Sequence, residues 1–283
     1  MATEYGPSPA ERARTVVACA AVPTIDIAGR VAEDVAVHAT NAEGALVLLA
    51  PTAGVLGERA ACGPAVATLH ATRLLPLPVP DRVLARVTIH GTLELVGNPA
   101  AAAELLGRSA APDQTVLRLD PHQVRLDGEP VDPEAYRLAA PDPIAPRSDA
   151  LVTHLVQRHT DQVMALAELL DRRLVDAAWM IAPACIDRFG LTFHLAGPAG
   201  VAYPRLDFPV GVRHPNQLPA ALRALHRRAA SPTAASATPD PTPASPRIST
   251  MRVLVSDDRT CRAGCYVIAR AGPAGRPRRR GRR

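Results

Sequence analysis

Imidazoles are the side chains best placed to do chemistry in this chain. Its 283 residues include nine His, and three of them, His38, His70 and His90, fall in runs where apolar and polar residues alternate. Each is next but one to a threonine: Thr40 for His38, Thr68 and Thr72 for His70, Thr88 and Thr92 for His90. A strand sends alternate residues to one side, so the three imidazoles are expected on a polar face shared with hydroxyl groups. Arg86 lies in the same run as His90 and is a candidate partner for an anion. An imidazole held in this way can carry a proton or ligate a metal. A half-solvated antiparallel sheet presents the same pattern with no ligand at all. A fourth imidazole, His159, sits on the apolar stripe of an expected helix, where it reads either as a hydrogen-bonded core residue or as a ligand.

Other chemistry has less to work with. No G-x-S-x-G, H-E-x-x-H or phosphate-binding glycine loop occurs. Asp120-Pro-His122 and the stretch from Asp187 to His194 bring acids near histidines along the chain, and both read as turns. The five Cys are odd in number with no C-x-x-C pair, so neither a disulfide framework nor a zinc site is spelled out. Cys261-Arg-Ala-Gly-Cys265 has no second half and reads as two unpaired thiols.

The elements that must position these residues follow from periodicity and punctuation. Ser8-Pro9 caps a helix expected over Pro9–Val22. Val35–Thr40 and Ala45–Pro51 form a hairpin about Asn41-Ala-Glu-Gly44. Further strands are expected at 65–72, 82–96, 114–119 and 123–126, with a short helix over Pro99–Gly107. In the longest, Val87, Ile89, Leu93 and Leu95 form one face and Thr88, His90, Thr92 and Glu94 the other. Six strands with little helix between them favour an antiparallel barrel over a doubly wound sheet. The Pro-rich stretch 140–147 reads as a linker. Beyond it come a helix over Asp149–Asp171 striped by Val152, Val156, His159, Val163, Leu166 and Leu170, three strands at 177–186, 191–195 and 201–208, and a closing helix from Pro215-Asn216 to Arg227-Arg228. The expected division is 8–139, 140–147, 148–230 and a Pro- and Arg-rich tail at 231–283, which reads as disordered. Met251-Arg-Val-Leu-Val255 has some strand character within that tail.

The second unit, with Leu155-Val-Gln-Arg-His159-Thr-Asp-Gln-Val-Met-Ala-Leu, Ile186-Asp187-Arg-Phe-Gly190, Arg205-Leu-Asp-Phe208-Pro209 and Leu218–Ala229, resembles the DUF2470 domain. In that family the domain follows a split β-barrel similar to pyridoxamine 5′-phosphate oxidase. The first unit looks like such a barrel, with its leading helix, its strands near 35–50 and Arg86-Val-Thr-Ile-His-Gly-Thr-Leu-Glu94. The resemblance covers residues 9 to 229. It implies an α+β protein: an antiparallel split β-barrel, FMN-binding-like, followed by a small α-β-β-β-α domain. Relatives of the HugZ type bind and degrade haem, another relative regulates tetrapyrrole synthesis by binding a reductase, and barrel relatives use FMN or F420. The resemblance therefore implies a haem or tetrapyrrole ligand, with His38, His70, His90, His159 and Arg86 as candidate binding residues. An FMN- or F420-dependent oxidoreductase and a non-catalytic regulatory module are the alternatives. Haem-degrading relatives take an axial His from near the C-terminus. Here no His follows His226, and neither His214 nor His226 matches that ligand, so it is not carried over.

Composition bounds the rest. Only three Phe, four Tyr and one Trp occur, so the core must be Ala, Val, Leu and Ile. Lys is absent, which removes the usual lysine from a flavin-phosphate site and leaves Arg as the sole strong cation. The net charge of +5 belongs to residues 231–283, which hold 11 Arg and three acidic residues; residues 1–230 are net acidic. The run Arg276–Arg283 lacks interleaved aromatics and is expected to give only unspecific, salt-sensitive contact with nucleic acid. No apolar run approaches the ~20 residues of a membrane span, and the N-terminus lacks a signal-peptide pattern. A cytoplasmic homodimer is the expectation.

Overall fold

Ser8 opens the first helix as the residue types require: its hydroxyl accepts the Glu11 N–H (3.2 Å) while the Glu11 carboxylate accepts the Ser8 N–H (2.8 Å), a reciprocal cap with Pro9 in the first turn. This helix, α1, runs over Pro9–Cys19. The computed structural model describes residues 6–27, 32–79, 81–230, 252–255 and 266–269. The expected disordered stretch 231–250, the Cys261–Cys265 pair and the Arg276–Arg283 run lie outside them.

The described residues form two compact units: a first through Asp149, which also takes in Asp187–Phe189 and Arg213–Pro215, and a second made of Ala150–Ile186, Gly190–Val212 and the described residues from Asn216 onward. In the first, α1 is followed by β1 (Thr24–Ile27), β2 (Glu33–Asp34), β3 (Val37–Thr40), β4 (Leu46–Pro51), α2 (Val55–Ala61), β5 (Ala65–Leu74), β6 (Val83–Leu95), α3 (Pro99–Leu106), β7 (Gln114–Leu126), β8 (Glu129–Val131) and α4 (Pro133–Leu138). The strands make one antiparallel sheet in the order β2-β1-β5-β6-β7-β4-β3, with β8 added on β7. The molecule is α+β, and this sheet is a curled half-barrel. Its inner face is built from the apolar parity: Ile25, Leu69, Val87, Ile89, Leu93, Leu48, Leu117 and Leu119 bury against Ala13, Val16 and Val17 of α1. Leu95, expected on that face, is exposed because β6 ends there.

One departure repositions the site. The two strands expected at 114–119 and 123–126 are a single strand, β7, and Pro121 does not end it. The β6–β7 register slips between His90↔Gln123 and Gly91↔Pro121, so His122 is the extra residue of a bulge. A bulge is where a central strand tolerates a proline, which has no N–H for the ladder. Gly91 makes this possible. A Cβ there would lie 2.1 Å from the Asp120 carbonyl oxygen and 2.9 Å from its carbon. Gly91→Ala is expected to cost about 3 kcal/mol through overpacking against backbone that cannot yield. Gly97→Ala, with nothing within 4 Å of the new carbon, is expected to leave the urea midpoint unchanged. Equal midpoints for both variants would refute the account.

The second unit holds α5 (Ser148–Arg158), α6 (Thr160–Ala167), α7 (Arg172–Ala177), β9 (Met180–Ile186), β10 (Gly190–Gly197), β11 (Gly200–Ala202), β12 (Arg205–Asp207), α8 (Leu218–Ala230), β13 (Arg252–Val255) and β14 (Tyr266–Ala269). Its sheet order is β11-β10-β9-β14-β13, with β12 on β10. The single helix expected over 149–171 is broken at His159, whose backbone (φ −135°, ψ 35°) is not helical. The cause is local: the Thr160 hydroxyl donates to the Val156 carbonyl at 2.9 Å, a side-chain bond that competes with the helical ladder. Val152, Val156, Val163, Leu166 and Leu170 of the stripe are buried as their spacing requires. Residues 140–147 are not a loose connection. They include a 3-10 turn at Ala145–Arg147 and a buried Asp142 whose carboxylate accepts the N–H groups of Ile144 and Ala145. Burial raises the Asp142 carboxyl above its ordinary value, partly opposed by those bonds and by the Arg188 N–H.

Candidate functional site

The outer face of the half-barrel carries the polar parity of β1, β5, β6 and β7, and it gathers imidazoles. His90 on β6 stands directly across from Thr68 on β5, and Nδ1 lies 3.0 Å from the Thr68 hydroxyl. No described residue bonds its Nε2. His70 on β5 bonds through Nε2 to Asp26 Oδ2 on β1 at 3.2 Å. His122, lifted by the bulge, bonds through Nε2 to the Thr92 hydroxyl at 2.8 Å. Arg86 and Thr88 lie on the same parity of β6 as His90, and Arg86 is exposed. Arg118 pairs with Asp120 on β7 at 2.7 Å. Val66, 73% exposed, contributes an apolar side chain beside Thr68 and Thr92. Each imidazole is thus held at one nitrogen by a neighbour, which fixes ring orientation and leaves the other nitrogen available.

The expectation of one face shared by His38, His70 and His90 holds for two of the three. His38 pairs with Leu48, and Leu48 with Leu117, both on the inner face. Its Nε2 lies 3.1 Å from the Val17 carbonyl of α1, so His38 ties the edge strand to the helix. Parity along one short strand cannot say which face is inward until the partner strand is known, and β3 pairs through a register that turns His38 in. Burial lowers its pKa below the ordinary 6.5, with the bond to Val17 opposing. The unfolded chain then takes up a proton that the fold resists, so stability falls as pH drops below about 6.5 and levels off below the folded value. The urea midpoint is expected to fall between pH 7.5 and 5.5, and more steeply in the natural chain than in His38→Gln; parallel slopes would assign the fall to other groups.

His159 lies in the second unit, at the α5–α6 break, with its Nε2 3.2 Å from His154 Nε2. His122 was legible only as a turn residue. Its signal is the outer parity itself, which runs through Arg118 and Asp120 and then through Gln123 and Arg125: a slip by one residue marks a bulge. The second-unit residues on which the family resemblance rests are mainly architectural. Asp187 accepts the Phe189 N–H at 2.8 Å, a Cβ on Gly190 would lie 2.2 Å from the Leu206 carbonyl oxygen, Arg205 bonds Asp207, and Phe208 is buried. Among the described residues no group of three or more metal-ligating side chains is arranged to hold an ion, and no helix is long and apolar enough to cross a membrane.

No protein-family model matches the chain, and no curated protein matches it. Solved structures do. A heme binding protein from Mycobacterium smegmatis is 26% identical, covering 80% of this chain and 98% of its own, with a TM-score of 0.57. A FAD and heme binding protein from the same organism is 19% identical over 45% of this chain and 75% of its own (TM-score 0.30). A candidate pyridoxamine 5′-phosphate oxidase from Listeria innocua is 13% identical over 43% of this chain and the whole of its own (TM-score 0.33).

Proposed function

We propose that this chain binds haem on the outer face of its half-barrel, with His90 Nε2 as the axial ligand and Arg86 as a propionate partner. The observation that carries the reading is the Thr68–His90 bond at 3.0 Å. With Nδ1–H donating to the hydroxyl, the lone pair rests on Nε2, the nitrogen that no described residue engages. That is the state in which an imidazole ligates iron. His70 and His122 have their Nε2 atoms engaged by Asp26 and Thr92, which leaves only Nδ1, the nitrogen next to the side chain's own attachment and the more hindered one for a broad macrocycle. Arg86 is four residues along the strand from His90, about 13 Å in Cα separation, a distance suited to a carboxylate at the rim of a macrocycle whose iron lies over His90. Similarity to a heme binding protein over nearly all of that protein's length supports the same ligand. The donor set fits haem: His90 and Arg86 would hold it, and its iron would supply ligand-binding and redox chemistry.

Val66 and Leu74 are the exposed large apolar side chains of β5 on this face, so a second surface must close over the porphyrin. A homodimer that brings two such faces together is part of the proposal, and the DUF2470-like second unit is part of the same architecture. The unpaired thiols Cys19 and Cys62 suit a reducing, cytoplasmic setting. Haem titration of the purified chain tests the reading: a saturable Soret shift is expected, and a flat titration would remove it. Loss of that band with reductant and oxygen would add haem breakdown. Yellow protein on purification or F420 binding without a Soret shift would favour the flavin-type alternative.

A further inference from the structure

A second set of imidazoles lies outside the sheet face. His154 near the end of α5 is exposed, and His159 follows at the helix break. Their Nε2 atoms are 3.2 Å apart and their rings meet edge to face, with centroids 5.0 Å apart and planes at 62°. On an unbroken helix a spacing of five residues would splay the two rings, since only positions three and four apart share a face. The break at His159 brings them together.

We propose that His154 and His159 chelate a divalent transition-metal ion through their Nε2 atoms. Metal–nitrogen bonds of about 2.0–2.1 Å place two imidazole nitrogens roughly 3.3 Å apart in a tetrahedral site and about 2.9 Å apart when cis in a square-planar one. The observed 3.2 Å falls between these values. The neutral pair shares a single N–H between the two Nε2 atoms. On binding, that proton moves to Nδ1 of its own ring, and both Nε2 lone pairs turn to the ion with no net change in protonation. Small rotations suffice, because His154 is free to turn in solvent. Among the described residues no third protein ligand is arranged around the pair, so water completes the shell and the ion stays exchangeable. Imidazole nitrogen favours Cu2+, Ni2+ and Zn2+ over Mg2+ or Ca2+, and Cu2+ is the tightest of these at a given site. His226 lies on α8, a helix packed against α6.

The site is separate from the haem proposal, and its test is too. Haem-free full-length protein would be titrated with Cu2+ and followed by calorimetry and electron paramagnetic resonance. The natural chain is expected to bind one Cu2+ at this site with hyperfine structure from two nitrogens. His154→Gln and His159→Gln should each weaken that binding by at least on the order of tenfold, since loss of either ring ends chelation, and each should remove the two-nitrogen signature. His154 is exposed, so its variant should keep the natural melting temperature, and Zn2+ should compete for the same site. Unchanged Cu2+ affinity in His154→Gln, or a spectrum indifferent to both substitutions, would overturn the proposal whatever the haem titration shows.

Discussion

His90→Ala is expected to abolish the Soret shift that the natural chain gives on haem titration, weakening haem binding by more than about a hundredfold. The magnitude follows from a comparison. Removing an outer partner of a metal-ligating histidine costs 10- to 100-fold in affinity, and removing the ligand itself must cost more. Thr68→Val keeps the imidazole but takes away the hydroxyl 3.0 Å from Nδ1, so a loss of about tenfold is expected there, with a shifted band as ring and tautomer become less fixed. His70→Ala and His122→Ala, whose Nε2 atoms are engaged by Asp26 and Thr92, should leave the band in place. His38→Ala should alter stability and not the spectrum, because its ring faces α1. If His70→Ala or His122→Ala removes the band while His90→Ala retains it, the ligand assignment falls and haem binding stands.

The parts of this site that the sequence reveals are those in which one strand suffices. The alternation of β6 places His90, Thr88 and Thr92 opposite Val87, Ile89 and Leu93, and the structure agrees because the burial contrast along 13 residues admits one phase. The four residues of β3 are all half-buried, so they have no such contrast; only pairing with β4 turns His38 inward. Pro121 misleads for a different reason. A proline in a strand reads as an end, and the glycine that lets the chain pass it, Gly91, lies on another strand. The first strand, Thr24–Ile27, is short and follows Pro23, yet it supplies Asp26 to His70. Residues separated by more than 40 positions carry no mark of their meeting. His159 shows the reverse case, since a hydroxyl one residue away breaks a helix whose apolar stripe is otherwise continuous.

Arg14→Ala is expected to lower the stability of the first unit by about 4 kcal/mol, and its melting temperature by roughly 10 °C. Arg14 is 1% exposed within a core of aliphatic residues, and among the described residues no carboxylate is bonded to it. Its guanidinium donates to three backbone carbonyls, Asn41 at 2.9 Å, Arg137 at 3.3 Å and Tyr136 at 3.4 Å, and stacks over the Tyr136 ring with the centroid 5.5 Å away. Burial pulls its pKa below the ordinary guanidinium value, while Tyr136 and Glu43 act in the opposite sense. One side chain thus joins α1, the β3–β4 turn and α4. The turn is shaped to admit it: Gly44 has φ +81°, and a Cβ there would lie 2.6 Å from an Arg14 nitrogen. Truncation leaves a cavity and strands carbonyls away from water, each costing about 1–3 kcal/mol. Arg12, two residues earlier, supplies the contrast. It pairs with Asp127 at 3.5 Å with both side chains about half exposed, and an exposed pair of that kind contributes about 0–1 kcal/mol. Arg12→Ala should therefore shift the urea midpoint little, and Arg14→Ala a great deal, although both remove one positive charge from the same helix. Equal shifts would mean that charge on α1, and not the three carbonyls, sets the stability of the unit, and Arg14→Met, which fills the space without donating, would then recover nothing.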